Sequence, residues 1–158
     1  MKKKIQWKLL LVCIAIPLAV GGVAAWLTKD AMATFSLIQQ PPLSPPAWLF
    51  PVVWTVLYTL MGISSYLVYI LGRESDEGKL ALALYAAQLA VNFVWPILFF
   101  DFQWYLISLL WLLLLVVLVI AMIRSFYKIR PMAAYFNIPY VLWLLFATYL
   151  NFGIWRLN

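Results

Sequence analysis

The side chains able to do chemistry in this sequence are aromatic rings and a few neutral amides. Trp95, Trp111 and Trp143 fall toward the middle of long apolar runs, and Trp54 lies one to two turns inside another. An indole carries one N–H donor, so a tryptophan at that depth needs an acceptor. Gln88, Asn92, Thr148 and Asn151 are the polar residues at matching depth. Gln88 and Asn92 are four apart with Trp95 three further on, which places all three on one helix face, and Trp54 and Tyr58 share a face in the same way. Such amides serve equally as glue between helices or as donors to a ligand, and residue type does not choose between the two.

Other chemistries lack their residues. The chain has no His, which removes the commonest metal ligand and the usual general base near neutral pH. Its one cysteine, Cys13, sits in an apolar run where packing is the expected role. There is no Ser/His/Asp set, no CxxC and no glycine-rich phosphate loop. No metal site, no cofactor and no conventional catalytic residue is therefore expected, and any chemistry must come from a bound molecule.

The elements that hold these residues follow from composition. Of 158 residues, 67% are apolar and 10% charged, too few charges to clothe a water-soluble domain. Continuous apolar runs predict an all-α integral membrane protein, a bundle of five transmembrane helices forming a single domain over 1–158. The expected spans are about 9–27, 47–71, 80–100, 104–123 and 132–155. Lys2, Lys3, Lys4 and Lys8 before the first run also resemble the start of a secretory signal peptide, with Ala31-Met32-Ala33 as a cleavage site. The run exceeds a usual signal core, so an uncleaved helix is expected.

Charge placement orients the bundle. Lys2, Lys3, Lys4, Lys8, Arg73, Lys79, Arg124, Lys128 and Arg130 fall on one side, and only Lys29 and Arg156 on the other. The positive-inside rule then predicts a cytoplasmic N-terminus and a plasma-membrane location. The net charge of +6 is explained by topology and by attraction to anionic membrane lipid, so nucleic acid is not an expected partner. No Asp, Glu, Arg or His lies inside a span, which argues against ion-coupled transport.

Some of the aromatic share, 18% of the chain, belongs to interfacial belts at Trp7, Trp26, Trp104 and Trp155. Pro96 and Pro139 are expected to free backbone carbonyls and bend their helices, leaving room for a cavity. The proline-rich connector 39–46 reads either as a lid over the bundle mouth or as a rigid spacer. Ala83 and Ala87, with Ala86 and Ala90, allow a close helix approach within the bundle or in a homodimer.

Three ordered segments carry a resemblance. Residues 44–58 (SPPAWLFPVVWTVLY) with Met61-Gly62, 84–96 (LYAAQLAVNFVWP) and 139–151 (PYVLWLLFATYLN) resemble the second, third and fifth helices of the tryptophan-rich sensory protein family, which includes the mitochondrial translocator protein. The resemblance covers the chain after the first helix. It implies a five-helix bundle, commonly a homodimer, that binds protoporphyrin IX and synthetic aromatic ligands under the first loop, with roles in porphyrin transport and light-dependent breakdown. Trp54 and Trp143 match the family's two pocket tryptophans and Asn92 its third-helix amide, while Trp95 and Ala147 match pocket-facing positions. The chain departs from many members at Thr34-Phe35 and Gln40-Pro41-Pro42-Leu43 in the first loop and at Trp111, where many carry Asp. Phe152 replaces the tyrosine of the animal sterol motif, so sterol is not an expected ligand.

A tetrapyrrole is a flat apolar plate with carboxylates along one edge. Trp54, Tyr58, Trp95 and Trp143 would supply ring faces, Asn92 a hydrogen bond, and Trp54 and Trp143 candidate electron donors to the photo-excited ring. Without His there is no imidazole for axial haem ligation, so metal-free porphyrin is the expected ligand. Two other readings stand beside this one: carriage of porphyrins or similar hydrophobic molecules without ion coupling, and a regulatory membrane subunit whose rings only pack.

Overall fold

The computed structural model describes residues 4–158; Lys2 and Lys3, counted above among the cytoplasmic charges, lie outside them. The described residues form helices α1 (Trp7–Met32), α2 (Leu49–Gly72), α3 (Asp76–Pro96), α4 (Tyr105–Ile129), α5 (Pro131–Tyr135) and α6 (Ile138–Leu157), with no strand among them. Five segments are long and apolar enough to cross a membrane, the fifth formed by α5 and α6 together. At 1.5 Å per residue, α1 with its 26 residues reaches about 39 Å, beyond the roughly 30 Å of bilayer hydrocarbon. α1 thus overruns its apolar run, 9–27, at both ends.

Local chemistry sets the joins. Ser75 caps α3 by accepting the Gly78 amide at 3.0 Å, with Asp76 and Glu77 in the positive first turn. Gly78 packs on the Gly72 backbone, where an added Cβ would lie 2.8 Å from Gly72 Cα, so the α2–α3 hairpin closes this tightly only because Gly78 lacks a side chain. Arg130 is extended ahead of Pro131, which opens α5 at a position where no amide donor is lost.

The two prolines act differently from each other. Pro139 falls in the first turn of α6 and breaks no internal hydrogen bond, because Phe136 and Asn137 already interrupt the fifth span. Pro96 is followed by one π-turn, Ile97–Asp101, which widens the C-terminal end of α3.

α4 packs on α3, α5 and α6, while α1 lies along α2. Leu57, Met61 and Val68 of α2 meet Leu89 of α3, Leu112, Leu115, Val119 and Met122 of α4, and Leu144 of α6 in one core. The opposite face of α4, with Leu106, Ile107, Leu110, Leu113 and Val117, is exposed. An apolar exterior of this kind is stable against hydrocarbon and not against water.

Candidate ligand-binding site

Trp54 and Tyr58 do share a face of α2, and their rings stack at 5.3 Å. One turn of helix separates the two residues, so the stack is built into the α2 backbone. The Tyr58 hydroxyl donates to Asn92 Oδ1 at 3.0 Å. Asn92 Nδ2 donates to the Tyr140 hydroxyl at 2.6 Å, and Tyr140 donates to Gln88 Oε1 at 2.8 Å. A chain of three hydrogen bonds therefore ties α2, α3 and α6 together. All four residues are buried, where an unmade bond is costly and each interhelical bond contributes roughly 0.6 kcal/mol. Asn92 still keeps one N–H and one lone pair beyond these two bonds.

Tyr140 went unmarked in the sequence. Its ring meets Trp54 edge-on at 6.2 Å and it is 1% exposed. The signal was its place three residues before Trp143, within the same quoted motif, on the face that looks toward α3 and α2.

Trp143 faces a different space. Phe50 packs edge-on against it at 5.8 Å, and Phe146 lies 5.5 Å away on the next turn. Together with Val52, Val53, Val56, Leu57, Pro139 and Leu142, Trp143 and Phe146 line an open groove of about 450 Å³ between α2 and α6. Val53 and Leu57 flank Trp54 in sequence, and Pro139 precedes Tyr140, so the groove and the hydrogen-bonded cluster are built from neighbouring residues of the same two helices. Ala147 is half-buried one turn beyond Trp143 and packs against the core. Among the described residues the indole nitrogens of Trp54 and Trp143 make no hydrogen bond.

Trp95 belongs to a second cluster at the C-terminal end of α3. It stacks on Phe99 at 4.9 Å, and Phe35 of the first loop packs on Phe99 and Phe100. Its indole donates to Asn151 Oδ1 at 3.1 Å, and Asn151 returns a bond from Nδ2 to the Tyr105 carbonyl at 2.9 Å. Asn151 is thus the expected kind of partner for a deep indole. Trp111 finds another, the Val91 carbonyl at 2.7 Å, and the Thr148 hydroxyl turns back to Leu144 O.

The connector is docked across the bundle mouth. Tyr149 donates to the Pro42 carbonyl at 2.6 Å. Gln39 N–H donates to Asn158 Oδ1 at 3.1 Å and its carbonyl accepts from Asn158 Nδ2 at 2.8 Å. Pro41 is buried against Gly153, where an added Cβ would lie 2.5 Å from Pro41 Cβ. One end of the loop therefore rests on the α3 π-turn through Phe35, and the other on the last turns of α6.

The sequence profile of the TspO/MBR family matches residues 13–156. The chain belongs to the TspO/MBR family. It is 35% identical over 150 residues to tryptophan-rich protein TspO of Chlorobaculum tepidum, covering 94% of this chain and 95% of that one. It is 36% identical over 148 residues to the translocator protein of Bos taurus, covering 90% and 86%. Protein CrtK of Rhodobacter capsulatus is 39% identical over 126 residues, covering 80% and 79%. Within this TspO/MBR bundle, Trp54, Tyr58, Asn92, Trp143 and Ala147 lie on the α2, α3 and α6 surfaces just described, while Trp95 serves the second cluster under the loop.

Proposed function

We propose that this TspO/MBR protein binds tetrapyrroles of the protoporphyrin IX kind at the aromatic surface between α2 and α6, and promotes their photo-oxidative breakdown. The observation that carries the reading is the apolar groove of about 450 Å³ walled by Trp143 and Phe146, within the size range of small-molecule sites. Beside it stand the Trp54–Tyr58 stack and the partly unused Asn92 amide. A flat plate set against these rings gains stacking on top of area burial, and its carboxylate edge can reach the outer membrane face. Dioxygen is the oxidant: the photo-excited ring takes an electron from the Trp54 or Trp143 indole and passes it to dioxygen. The reduced oxygen species formed in the groove attacks the ring, and no side chain acts as acid or base.

The test is co-elution of protoporphyrin IX with the detergent-purified protein. Wild type retains pigment and Trp143→Ala loses most of it; equal retention by both removes Trp143 from the site. Under illumination, Trp54→Phe and Trp143→Phe proteins that still hold pigment should bleach it more slowly. Undiminished bleaching in both contradicts the electron-donor role.

A second reading is carriage of the same ligand without ion coupling. It is favoured by the groove's exposed rim, Val52, Val56 and Leu142, through which an apolar ligand would pass sideways into lipid, and by a name among the relatives, translocator protein. Porphyrin flux into sealed vesicles separates it from binding alone. The third reading, a regulatory membrane subunit, predicts neither pigment retention nor flux.

The same proposal places the chain in the plasma membrane with its N-terminus in the cytoplasm, in contact with membrane lipid. Lys4, Lys8, Arg73, Lys79, Arg124, Lys128 and Arg130 are all exposed, at the helix ends that an alternating bundle gathers on one side. Ala83, Ala86, Ala87 and Ala90 are all exposed on α3, which supports a homodimer over packing within the bundle as their role.

A further inference from the structure

We infer that Gly21 of α1 is a positioning residue for Tyr58: its missing side chain makes the slot that holds the Tyr58 ring against Trp54 and under Asn92. The inference rests on the aromatic cluster being the ligand site, and one arm of its test does not. A Cβ placed on Gly21 would lie 2.8 Å from both Cδ2 and Cζ of Tyr58, and nearer still to Cε2. Contacts this short do not occur between side chains, so any larger residue must move either the ring or α1.

The ring is constrained on its other sides. It stacks on Trp54 at 5.3 Å, its hydroxyl is committed to Asn92 at 3.0 Å, and only 8% of the residue is exposed. Withdrawal of α1 is opposed one turn further along α2. There Gly62 meets the Ile14 backbone, and its added Cβ would lie 2.7 Å from the Cys13 carbonyl oxygen. The two helices touch backbone to backbone at that point, which leaves the Tyr58 ring as the part that yields. Turning it costs the stack on Trp54 or the bond to Asn92, and either change reshapes the surface offered to a flat ligand.

The neighbouring glycine provides the control. Gly22 has nothing within 4 Å of an added Cβ, so Gly21→Ala and Gly22→Ala make the same chemical change on the same helix and differ only in what the methyl meets. A role in helix flexibility alone would make the two variants behave alike.

The experiment compares Gly21→Ala, Gly22→Ala, Tyr58→Ala and the Gly21→Ala/Tyr58→Ala pair by two readouts. The first is the near-ultraviolet circular dichroism of the ligand-free protein, which reports the Trp54–Tyr58 stack. The second is tryptophan quenching by protoporphyrin IX. Gly21→Ala should alter the dichroism and weaken porphyrin binding about tenfold, equivalent to about 1.4 kcal/mol, while Gly22→Ala matches wild type in both. In the Tyr58→Ala background, Gly21→Ala should change nothing further, because the space is free. If Gly21→Ala alone fails to fold, the pair should fold again. An unaltered Gly21→Ala, a Gly22→Ala effect of equal size, or no relief in the pair overturns the inference. Failure of wild type to bind porphyrin overturns the proposed ligand, and the dichroism arm still decides the role of Gly21.

Discussion

At the scale of single residues, four buried polar side chains form one line from Tyr58 through Asn92 and Tyr140 to Gln88. Tyr140 is its hinge, since it accepts from one amide and donates to the other. Tyr140→Phe keeps the ring and leaves Gln88 Oε1 without its donor, a cost of about 1–3 kcal/mol for a buried acceptor. Tyr140→Phe also leaves Asn92 Nδ2 without its acceptor, whereas Tyr58→Phe strands only Asn92 Oδ1 and should cost less. Thermal unfolding in detergent checks the order, with Tyr140→Phe melting lower than Tyr58→Phe; the reverse order contradicts the hinge role. The Trp54–Tyr58 pair and the depth of Asn92 were legible because spacing within one helix decides them. Tyr140 was not, because its value depends on α6 approaching α3. Asn92 was read as either glue or ligand donor, and its two bonds to tyrosines establish the first use while leaving capacity for the second.

Among the elements, the first loop bears most directly on the site. Its docking on α6 through Gln39, Pro42 and Asn158 shows a strap across the bundle mouth, one of the two roles open to a proline-rich connector. Asn158→Ala removes the acceptor of the Gln39 amide, so hydrogen exchange at Gln39 should speed up while the core of α4 stays protected. Unchanged exchange at Gln39 means that the strap is held by Pro41 and Tyr149 alone. The five spans were readable from continuous hydrophobicity. The break between α5 and α6 was not, because Pro139 fits a bend inside one helix as well as the first turn of a new one, and Phe136 and Asn137 do not distinguish the two. The reading of Pro139 as a mid-span bend failed for the same reason, since its meaning depends on where the helix starts.

For the whole molecule, the proposed orientation rests on alternation of the spans and the asymmetry of Lys and Arg. In a Cys13→Ser background, Leu37→Cys in the first loop should react with a membrane-impermeant thiol reagent added outside cells, and Glu74→Cys in the α2–α3 turn should react only after the membrane is opened. The opposite pattern reverses the assigned topology. Composition made the membrane class plain, and three aromatic motifs made the family plain. The groove was beyond both, because it is the space left where α2 and α6 diverge, and no single helix encodes it.

The central claim is that the rings on α2 and α6 form a tetrapyrrole site, and intrinsic fluorescence tests it most directly. Titrating protoporphyrin IX into the detergent-purified protein should give saturable quenching of indole emission, since a plate seated in the groove touches Trp143, and Trp54 stands next in sequence to the groove-lining Val53. Replacing these two together by Phe should remove most of the saturable component while Trp95 and the interfacial tryptophans still emit. Saturable quenching that survives the double replacement, or none in wild type beyond that of free tryptophan, contradicts the account.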